Sequence, residues 1–358
     1  MKLVNLFEIC SPKQWKTISG NEILKNGKYP VYGANGIIGY YNEYNHEHET
    51  LLITCRGATC GTLNISVPKS YVNGNAMALD DISDKVDLKF LYYSLLVRGF
   101  NDVISGSAQP QITREGLQKV YINLCQLSTQ KAIADKLDKA DALRKKDKEL
   151  LAQYDELAQA IFIDMFGDPV KNEKGWKTHK AKTIFNFSSG KFNPTKNLDA
   201  SYAFPTYGGN GITGFSSSFL IDFPTIVIGR VGAYCGSIHI TDEKSWITDN
   251  AIYIKRIPKE VNLVFLYFFL RNYKLNRFAD YSGQPKITQK PLEDIDFFIV
   301  DINLQNQFAE KIQNIEAQKA IVKQQAQQSE ELFQALLQES FNFNHTQHEK
   351  PQTALSGA

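Results

Sequence analysis

Cysteine and methionine are scarce in this chain of 358 residues, which holds 5 and 3 of them. The cysteine count is odd, and Cys10 and Cys125 have no counterparts in the internal repeat described below, which argues against a disulfide framework. Cys55 and Cys60 could be imagined as metal ligands. Cys60 and Cys235, however, occupy equivalent places in apolar, strand-like sequence, the setting of a packed thiol, so no metal site is expected. No apolar run approaches a membrane span; the longest, Val261 to Leu270, is about half of what is needed. The opening Met1-Lys2-Leu3-Val4-Asn5 lacks a secretory pattern. A soluble, cytoplasmic protein with no membrane partner is expected. Catalytic signatures are missing too: there is no Asn-Pro-Pro-Tyr or Asp-Pro-Pro-Tyr of amino methylation and no Walker loop. Asp81 followed by Asp87-Leu88-Lys89 imitates a nuclease carboxylate–lysine set. The repeat places Asn262 and Val264 at the last two charged positions, so a helix start is the better reading.

What the chain does contain is itself, twice. Tyr29-Pro-Val-Tyr-Gly-Ala-Asn-Gly36 recurs 175 residues later as Phe204-Pro-Thr-Tyr-Gly-Gly-Asn-Gly211. The same offset relates Cys60-Gly61 to Cys235-Gly236, Asn75-Ala76 to Asn250-Ala251, and Gln109-Pro-Gln-Ile-Thr113 to Gln284-Pro-Lys-Ile-Thr288. It extends to Ile133-Ala-Asp-Lys-Leu137 and Phe308-Ala-Glu-Lys-Ile312. One offset held across loops and helices means one order of elements in each half. The net charge of +2 is small, but residues 177–302 hold 15 Lys and Arg against 11 Asp and Glu, while residues 1–125 hold 12 against 11. The cationic excess therefore lies mainly in the second globular half, which suits nucleic-acid contact.

Each half opens with short strand-like runs broken by Gly, Asn and Pro, such as Leu51–Thr54 and its counterpart Thr225–Ile228. An aromatic helix follows, Leu88–Leu96 or Leu263–Arg271, whose Phe and Tyr spacing reads as core rather than as a stacking platform. Then glycine vanishes from Ser128 to Phe166, and apolar or small residues fall at Ile133, Leu137, Ala140, Leu151, Tyr154, Ala158, Ile161 and Met165. These steps of three and four predict a helix of about 40 residues, about 60 Å long, repeated through Phe308, Ile312, Ile315, Val322, Ala326, Ser329, Phe333 and Leu336. Such a stripe needs a partner, and its own repeat is available. The expected fold is α+β: two repeated mixed α/β target-recognition domains, each followed by a long helix, the helices pairing as an antiparallel coiled coil with pseudo-two-fold symmetry. The boundaries are 1–125 for the first domain, 126–168 for the central helix, 169–302 for the second domain and 303–343 for the C-terminal helix. A polar tail, 344–358, is expected to be disordered. Aligning position i with 466 − i would set Leu151 by Ile315, Tyr154 by Ile312 and Asp147 by Lys319. His46-Glu-His48-Glu49 lacks a counterpart and reads as an exposed polar loop.

This arrangement resembles the specificity (S) subunit of type I restriction–modification systems, over nearly the whole chain from about Leu3 to about Phe343. The residues that carry the resemblance are the Tyr-x-Gly-x-Asn-Gly turns (Tyr32–Gly36, Tyr207–Gly211), Arg56-Gly57 and Arg230-Val-Gly232, Asn75-Ala76 and Asn250-Ala251. To these are added the Gln-Pro loops at Gly106–Pro110 and Gly283–Pro285, and Gln130-Lys-Ala-Ile-Ala134 with Gln305-Asn-Gln-Phe-Ala309. Arg56 directly precedes its glycine whereas Arg230 stands one residue earlier, which puts their equivalence in doubt. The resemblance implies a non-catalytic subunit that holds no cofactor and reads a bipartite double-stranded DNA target, one half-site per domain. It implies two methyltransferase (M) subunits docked on the helices and using S-adenosylmethionine, and restriction (R) subunits using ATP and Mg. A rival reading is a coiled-coil adaptor that joins two proteins and ignores DNA.

Candidate DNA contacts follow from residue chemistry: Asn and Gln can read adenine bidentately, and Arg or Lys can read guanine. In polar loops of the first half these are Asn35, Arg56, Asn73, Asn75, Gln109 and Gln111; in the second, Asn210, Arg230, Asn250, Gln284 and Lys286. Residues repeated in both halves are candidates for scaffold or phosphate contact, and differing ones for base reading. That adds Lys69, Arg114, Lys191, Lys274 and Arg277 as phosphate or base contacts. If the helices set the spacing, adding or deleting a heptad within 135–160 is expected to change the length of the unread gap.

Overall fold

The computed structural model describes residues 2–34, 36–106 and 109–341; Asn35 and the tail 344–358 lie outside them. The chain forms two compact units, one from residues 1–147 with 325–358, the other from the contiguous stretch 148–324. Among the described residues no helix is long and apolar enough to cross a membrane.

The first unit contains β1 (Lys2–Asn5), β2 (Ser11–Gln14), β3 (Tyr29–Gly33), β4 (Gly36–Tyr41), β5 (Leu51–Thr54), β6 (Leu63–Ile65), β7 (Tyr71–Val72) and β8 (Ala76–Asp80). Helix α1 (Leu88–Arg98), β9 (Ile104–Ser105), β10 (Gln111–Ile112), β11 (Tyr121–Leu124) and helix α2 (Leu127–Phe166) follow. An antiparallel sheet runs β2-β8-β5-β6, and a smaller one runs β4-β3-β7 with β3 and β7 parallel. β5 is buried on both faces, hence its unbroken apolar run. Its two-residue period sends Leu51 and Ile53 to a core shared with Leu91 and Leu95 of α1. Leu52 turns instead to Tyr32 and Val72 of the smaller sheet.

The second unit repeats this plan. Its elements are β12 (Thr178–Lys180), β13 (Phe187–Ser189), β14 (Phe204–Gly208), β15 (Gly211–Ser216), β16 (Ile226–Gly229), β17 (Ile238–Ile240), β18 (Trp246–Ile247), β19 (Ala251–Ile254) and α3 (Leu263–Tyr273), then α4 (Gln289–Glu293), β20 (Asp296–Phe298) and the early part of α5 (Ile302–Phe341), together with the late part of α2. Sheet orders β13-β19-β16-β17 and β15-β14-β18 match those of the first unit. Ile226 and Ile228 join the main core with Phe265, Leu266 and Phe269 of α3, while Val227 packs with Tyr207 and Ile247. The aromatic runs are core, as their spacing predicts.

The nuclease-like triplet is a helix cap. Asp87 accepts from the Lys89 and Phe90 amides at 3.1 and 3.0 Å, and Asn262 does the same for Val264 and Phe265 at 2.9 and 3.3 Å. The glutamine of the Gln-x-x-x-Ala pattern also has a structural place. Gln130 is 1% exposed; its Oε1 accepts from the Asp87 amide at 2.9 Å, and its Nε2 donates to the Lys85 and Cys125 carbonyls at 3.0 and 2.9 Å. Gln305 makes the same three bonds, to the Asn262 amide at 2.8 Å and to the Glu260 and Val300 carbonyls at 2.9 and 2.8 Å. One buried amide thus ties the start of each short helix to the start of each long one.

Both long helices span 40 residues. α2 ends at Gly167, whose φ of +82° is open to glycine at little cost and whose amide donates to Ile163 O at 2.8 Å. Within the first unit the early part of α2 packs antiparallel on the late part of α5. Lys136 bonds Glu339 at 2.9 Å, Arg144 bonds Glu330 at 3.1 Å, and Ser329 donates to the buried Asp147 carboxylate at 2.6 Å. Within the second unit Lys319 bonds Asp155 at 2.8 Å. Position i therefore faces about 475 − i, which corrects the expected 466 − i and separates Asp147 from Lys319. Ring packing dictates this register. Phe333 lies against Leu137, Ala140 and Tyr93, and Phe308 against Phe162 and Phe166, so bulk rather than charge matching aligns the helices.

One ion cluster occurs in each unit with the helices exchanging roles. Arg144 contacts Asp141 and Glu330 and stacks 4.1 Å from the Phe333 ring; Lys319 contacts Glu316 and Asp155. All three positions obey the repeat. The His46 loop departs from expectation at one residue: Glu47, His48 and Glu49 are exposed, but His46 is 8% exposed, with Nε2 3.0 Å from Asp80 and Nδ1 2.6 Å from Asn45 Oδ1. Asn45 is itself held by the Val72 backbone, so this loop is pinned to β7 and β8.

Candidate nucleic-acid interface

Backbone hydrogen bonds gather four loops of the first unit onto one rim. The Thr54 hydroxyl donates to Ala34 O in the β3–β4 turn. The Cys55 amide donates to Asn75 O, the Ile112 amide to Cys55 O and the Gly57 amide to Pro110 O. The second unit builds the same rim: the Arg230 amide donates to Asn250 O, the Ile287 amide to Arg230 O, the Gly232 amide to Pro285 O, and the Ser237 hydroxyl to Gly209 O. Each turn needs a glycine, because Gly36 and Gly211 have φ of +82° and +88°. The motifs far apart in sequence are thus neighbours in each head.

This ladder settles the relation of the two arginines. Arg56 pairs across a bridge with Gln111, and Val231 pairs with Lys286, so Arg230 stands where the first head has Cys55. Arg56 is exposed. Arg230 is half-buried, with Nη1 3.4 Å from Ser189 Oγ and from Asp249 O.

Of the remaining candidates, Asn75, Gln109, Gln111, Asn210, Asn250, Gln284 and Lys286 are exposed on these rims. Asn35 falls outside the described residues. Asn73 does not fit a reading role: it is 3% exposed and its Oδ1 accepts from the Gly74 amide at 2.8 Å, so its side chain belongs to the turn. Arg114 donates from Nε to Pro12 O at 2.9 Å and stacks 5.0 Å from the Phe7 ring, which anchors its guanidinium to the head. Lys191 is exposed, and its carbonyl accepts from the Trp246 indole at 3.0 Å. Lys274 ends α3 in the left-handed conformation, and Arg277 stacks 4.5 Å from the Tyr273 ring. Their turn abuts the Arg230 loop, since a Cβ on Gly236 would collide with the Asn276 backbone.

Sequence reasoning missed several residues. Asn64 and His239 occupy equivalent places on β6 and β17 behind the turn glycines, and a Cβ on Gly211 would lie 3.2 Å from the His239 ring. Burial pushes the His239 imidazole below its ordinary value against a hydrogen bond to the Gly209 backbone, and its Nε2 has no partner among the described residues. It lines a cleft of about 730 Å³ with Asn210, Arg271 and Lys319. The signal was present, because each is a lone polar residue between apolar neighbours, Leu-Asn-Ile and Ile-His-Ile. Tyr234 and Tyr281, 53% and 68% exposed, stand in the two loops that the Gly232–Pro285 bond joins.

A family model of the type I restriction modification DNA specificity domain matches the chain twice, over residues 1–153 and 173–331. A stretch of 146 residues is 30% identical to the type I restriction enzyme EcoprrI specificity subunit of Escherichia coli, covering 40% of this chain and 36% of that protein. Matches to the curated relatives span between 31% and 45% of their lengths. The S subunit of a type I restriction-modification system from M. genitalium, a solved crystal structure, aligns over 95% of this chain and 96% of its own at a TM-score of 0.66 and 19% identity. A chain from a structure titled for complex assembly and conformational transition of the type I R-M system aligns over 95% and 97% at a TM-score of 0.50 and 14% identity. At these identities the likeness is one of fold.

Proposed function

Because the chain belongs to the type I restriction–modification DNA specificity family, we propose that it is the subunit that reads a bipartite double-stranded DNA target, one half-site per head. The observation that carries this reading is the repeated rim. The same loops meet at the same three backbone hydrogen bonds in both units, while the side chains they present differ, Arg56 against Val231 and Gln111 against Lys286. A shared backbone with differing polar side chains is what two readers of unlike half-sites require. Arg56, Asn75, Gln109 and Gln111 in the first head, and Asn210, Arg230, Asn250, Gln284 and Lys286 in the second, are the proposed DNA-contacting side chains, with those that differ between heads, Arg56, Gln111, Arg230 and Lys286, as the proposed base readers. Lys191, Lys274 and Arg277 are proposed to contact phosphates.

In this reading the chain performs no catalysis. The paired helices hold two methyltransferase subunits, which bring S-adenosylmethionine, and restriction subunits join with ATP and Mg. The docking role rests on family membership. Single-molecule methylome sequencing of cells with and without the protein tests the proposal. A two-part adenine motif is expected to disappear with the chain; an unchanged methylome refutes it. A gel shift with genomic fragments, in the presence of the methyltransferase, separates it from a protein-joining adaptor, which would leave DNA unshifted.

A further inference from the structure

One carboxylate in the paired stretch of α2 and α5 is buried without a cation. Asp147 is 8% exposed, and its Oδ2 accepts from the Ser329 hydroxyl at 2.6 Å. Among the described residues it forms no ion pair, because the neighbouring cations are committed or turned away. Arg144 is bound to Asp141 and Glu330, and Lys145 to Asp141. Lys146 and Lys148 are exposed and stand about 100° to either side of Asp147 around the helix. From α5 the facing residues are Gln324, Gln325 and Gln328, and Lys323 is exposed. Taking a carboxylate out of water costs far more than one hydroxyl bond returns.

Asp147 lines a cleft of about 360 Å³ in the first unit, together with Leu143 of α2 and Gln325, Gln328, Ser329 and Leu332 of α5. Its carboxylate is the one charge among these six residues. Leu143 and Leu332 are 46% and 47% exposed, two large apolar side chains left in solvent. A carboxylate set among apolar side chains and amides matches the head and stem of a lysine or arginine. The cation meets Asp147, the methylenes lie on the leucines, and amide oxygens accept the remaining N–H groups.

The repeat shows that helix pairing does not itself require an acid here. The offset of 175 replaces Asp147 by the buried Val322, Ser329 by Tyr154 and Leu143 by Gln318. Resting on the docking role proposed above, we propose that the Asp147 cleft is a socket for a lysine or arginine side chain of a methyltransferase subunit. The socket has no counterpart at Val322, so one of the two docking steps uses it.

The test is calorimetric titration of the full chain with its methyltransferase subunit, resolving two binding steps, beside thermal unfolding of the chain alone. D147N removes the charge and keeps an acceptor for Ser329; D147V copies the repeat. In both variants one step is expected to weaken by about tenfold or more, through faster dissociation, while the other stays within about twofold of the parent. D147V is also expected to raise the Tm, since an apolar side chain replaces an uncompensated buried charge. A chain that melts higher and binds worse has not been damaged in its fold. If D147V melts lower, D147N alone decides. The inference is overturned if D147N leaves both steps unchanged, which would reduce Asp147 to a residue that aligns the helices. An equal loss in both steps overturns it too, because the effect would then lie in the helix pair as a whole. A parent chain that takes up no methyltransferase overturns the docking role itself, and the socket with it.

Discussion

Replacing Gln130 with methionine removes three hydrogen bonds and little volume. The lost partners are the Asp87 amide and the Lys85 and Cys125 carbonyls. Methionine fills nearly the same space, so the cavity cost is small. Each bond contributes on the order of 1 kcal/mol net, and water reaches the freed groups only in part, which gives a loss of about 2–3 kcal/mol. For a unit of this size that corresponds to a fall in Tm of roughly 5–10 °C. Thermal unfolding of the full chain followed by circular dichroism measures it, with Q305M as the matched change in the second unit. Hydrogen exchange supplies the local signature: the Asp87 amide, which Gln130 accepts from, should exchange faster in Q130M and not in Q305M. If Q130M melts within about 1 °C of the parent and leaves exchange at Asp87 unaltered, the clamp has no such role.

Further outcomes follow from the stalk and the core. Burial pushes the Asp141 carboxyl up, but hydrogen bonds from Lys145 and Arg144 outweigh it and hold the group below its ordinary range. A lowered folded value stabilises above the unfolded range and is lost as pH falls through the folded one. D141N should therefore cost stability at pH 7, and its gap from the parent should close below about pH 4 in acid titrations; a gap constant with pH counts against the ion cluster. A double-mutant cycle on Asp155 and Lys319 should return a coupling of about 1 kcal/mol, and one on Asp147 and Lys319 none; the reverse result would restore the 466 − i register. Burial, reinforced by Asp80, pushes the Cys10 thiol up to about 12. Its labelling by a thiol reagent at pH 8 should match the opening rate of the first unit, and rapid labelling of the native chain would contradict its burial.

Much of this architecture could be read from the repeat because an offset is insensitive to local ambiguity. The offset of 175 carries over to α2 and α5, Leu127–Phe166 and Ile302–Phe341, with no drift. The common order of elements carries through to packing as well, since the alternating burial of Leu51, Leu52 and Ile53 recurs in Ile226, Val227 and Ile228. The helix register did not, because a stripe of small and charged residues fits several alignments, and the choice is made by Phe308 and Phe333 meeting rings on other elements. His46 was misread because its partners, Asn45 and Asp80, become neighbours only when β7 and β8 are laid down. Asn73 and Arg114 were attractive as polar residues in loops, and only the Gly74 amide and the Phe7 ring reveal where their side chains are held.

The second unit is one uninterrupted stretch, 148–324, whereas the first is assembled from 1–147 and a distant piece, 325–358. On the ribosome the later-encoded unit therefore has all its parts in hand before the earlier one. The first waits for Phe333, Leu337 and Phe341 to arrive and close over Tyr93, Leu137 and Phe90. A nonsense codon near residue 325 would accordingly leave the downstream head whole and the upstream head unsealed, the opposite of what truncation does to a chain of consecutive domains.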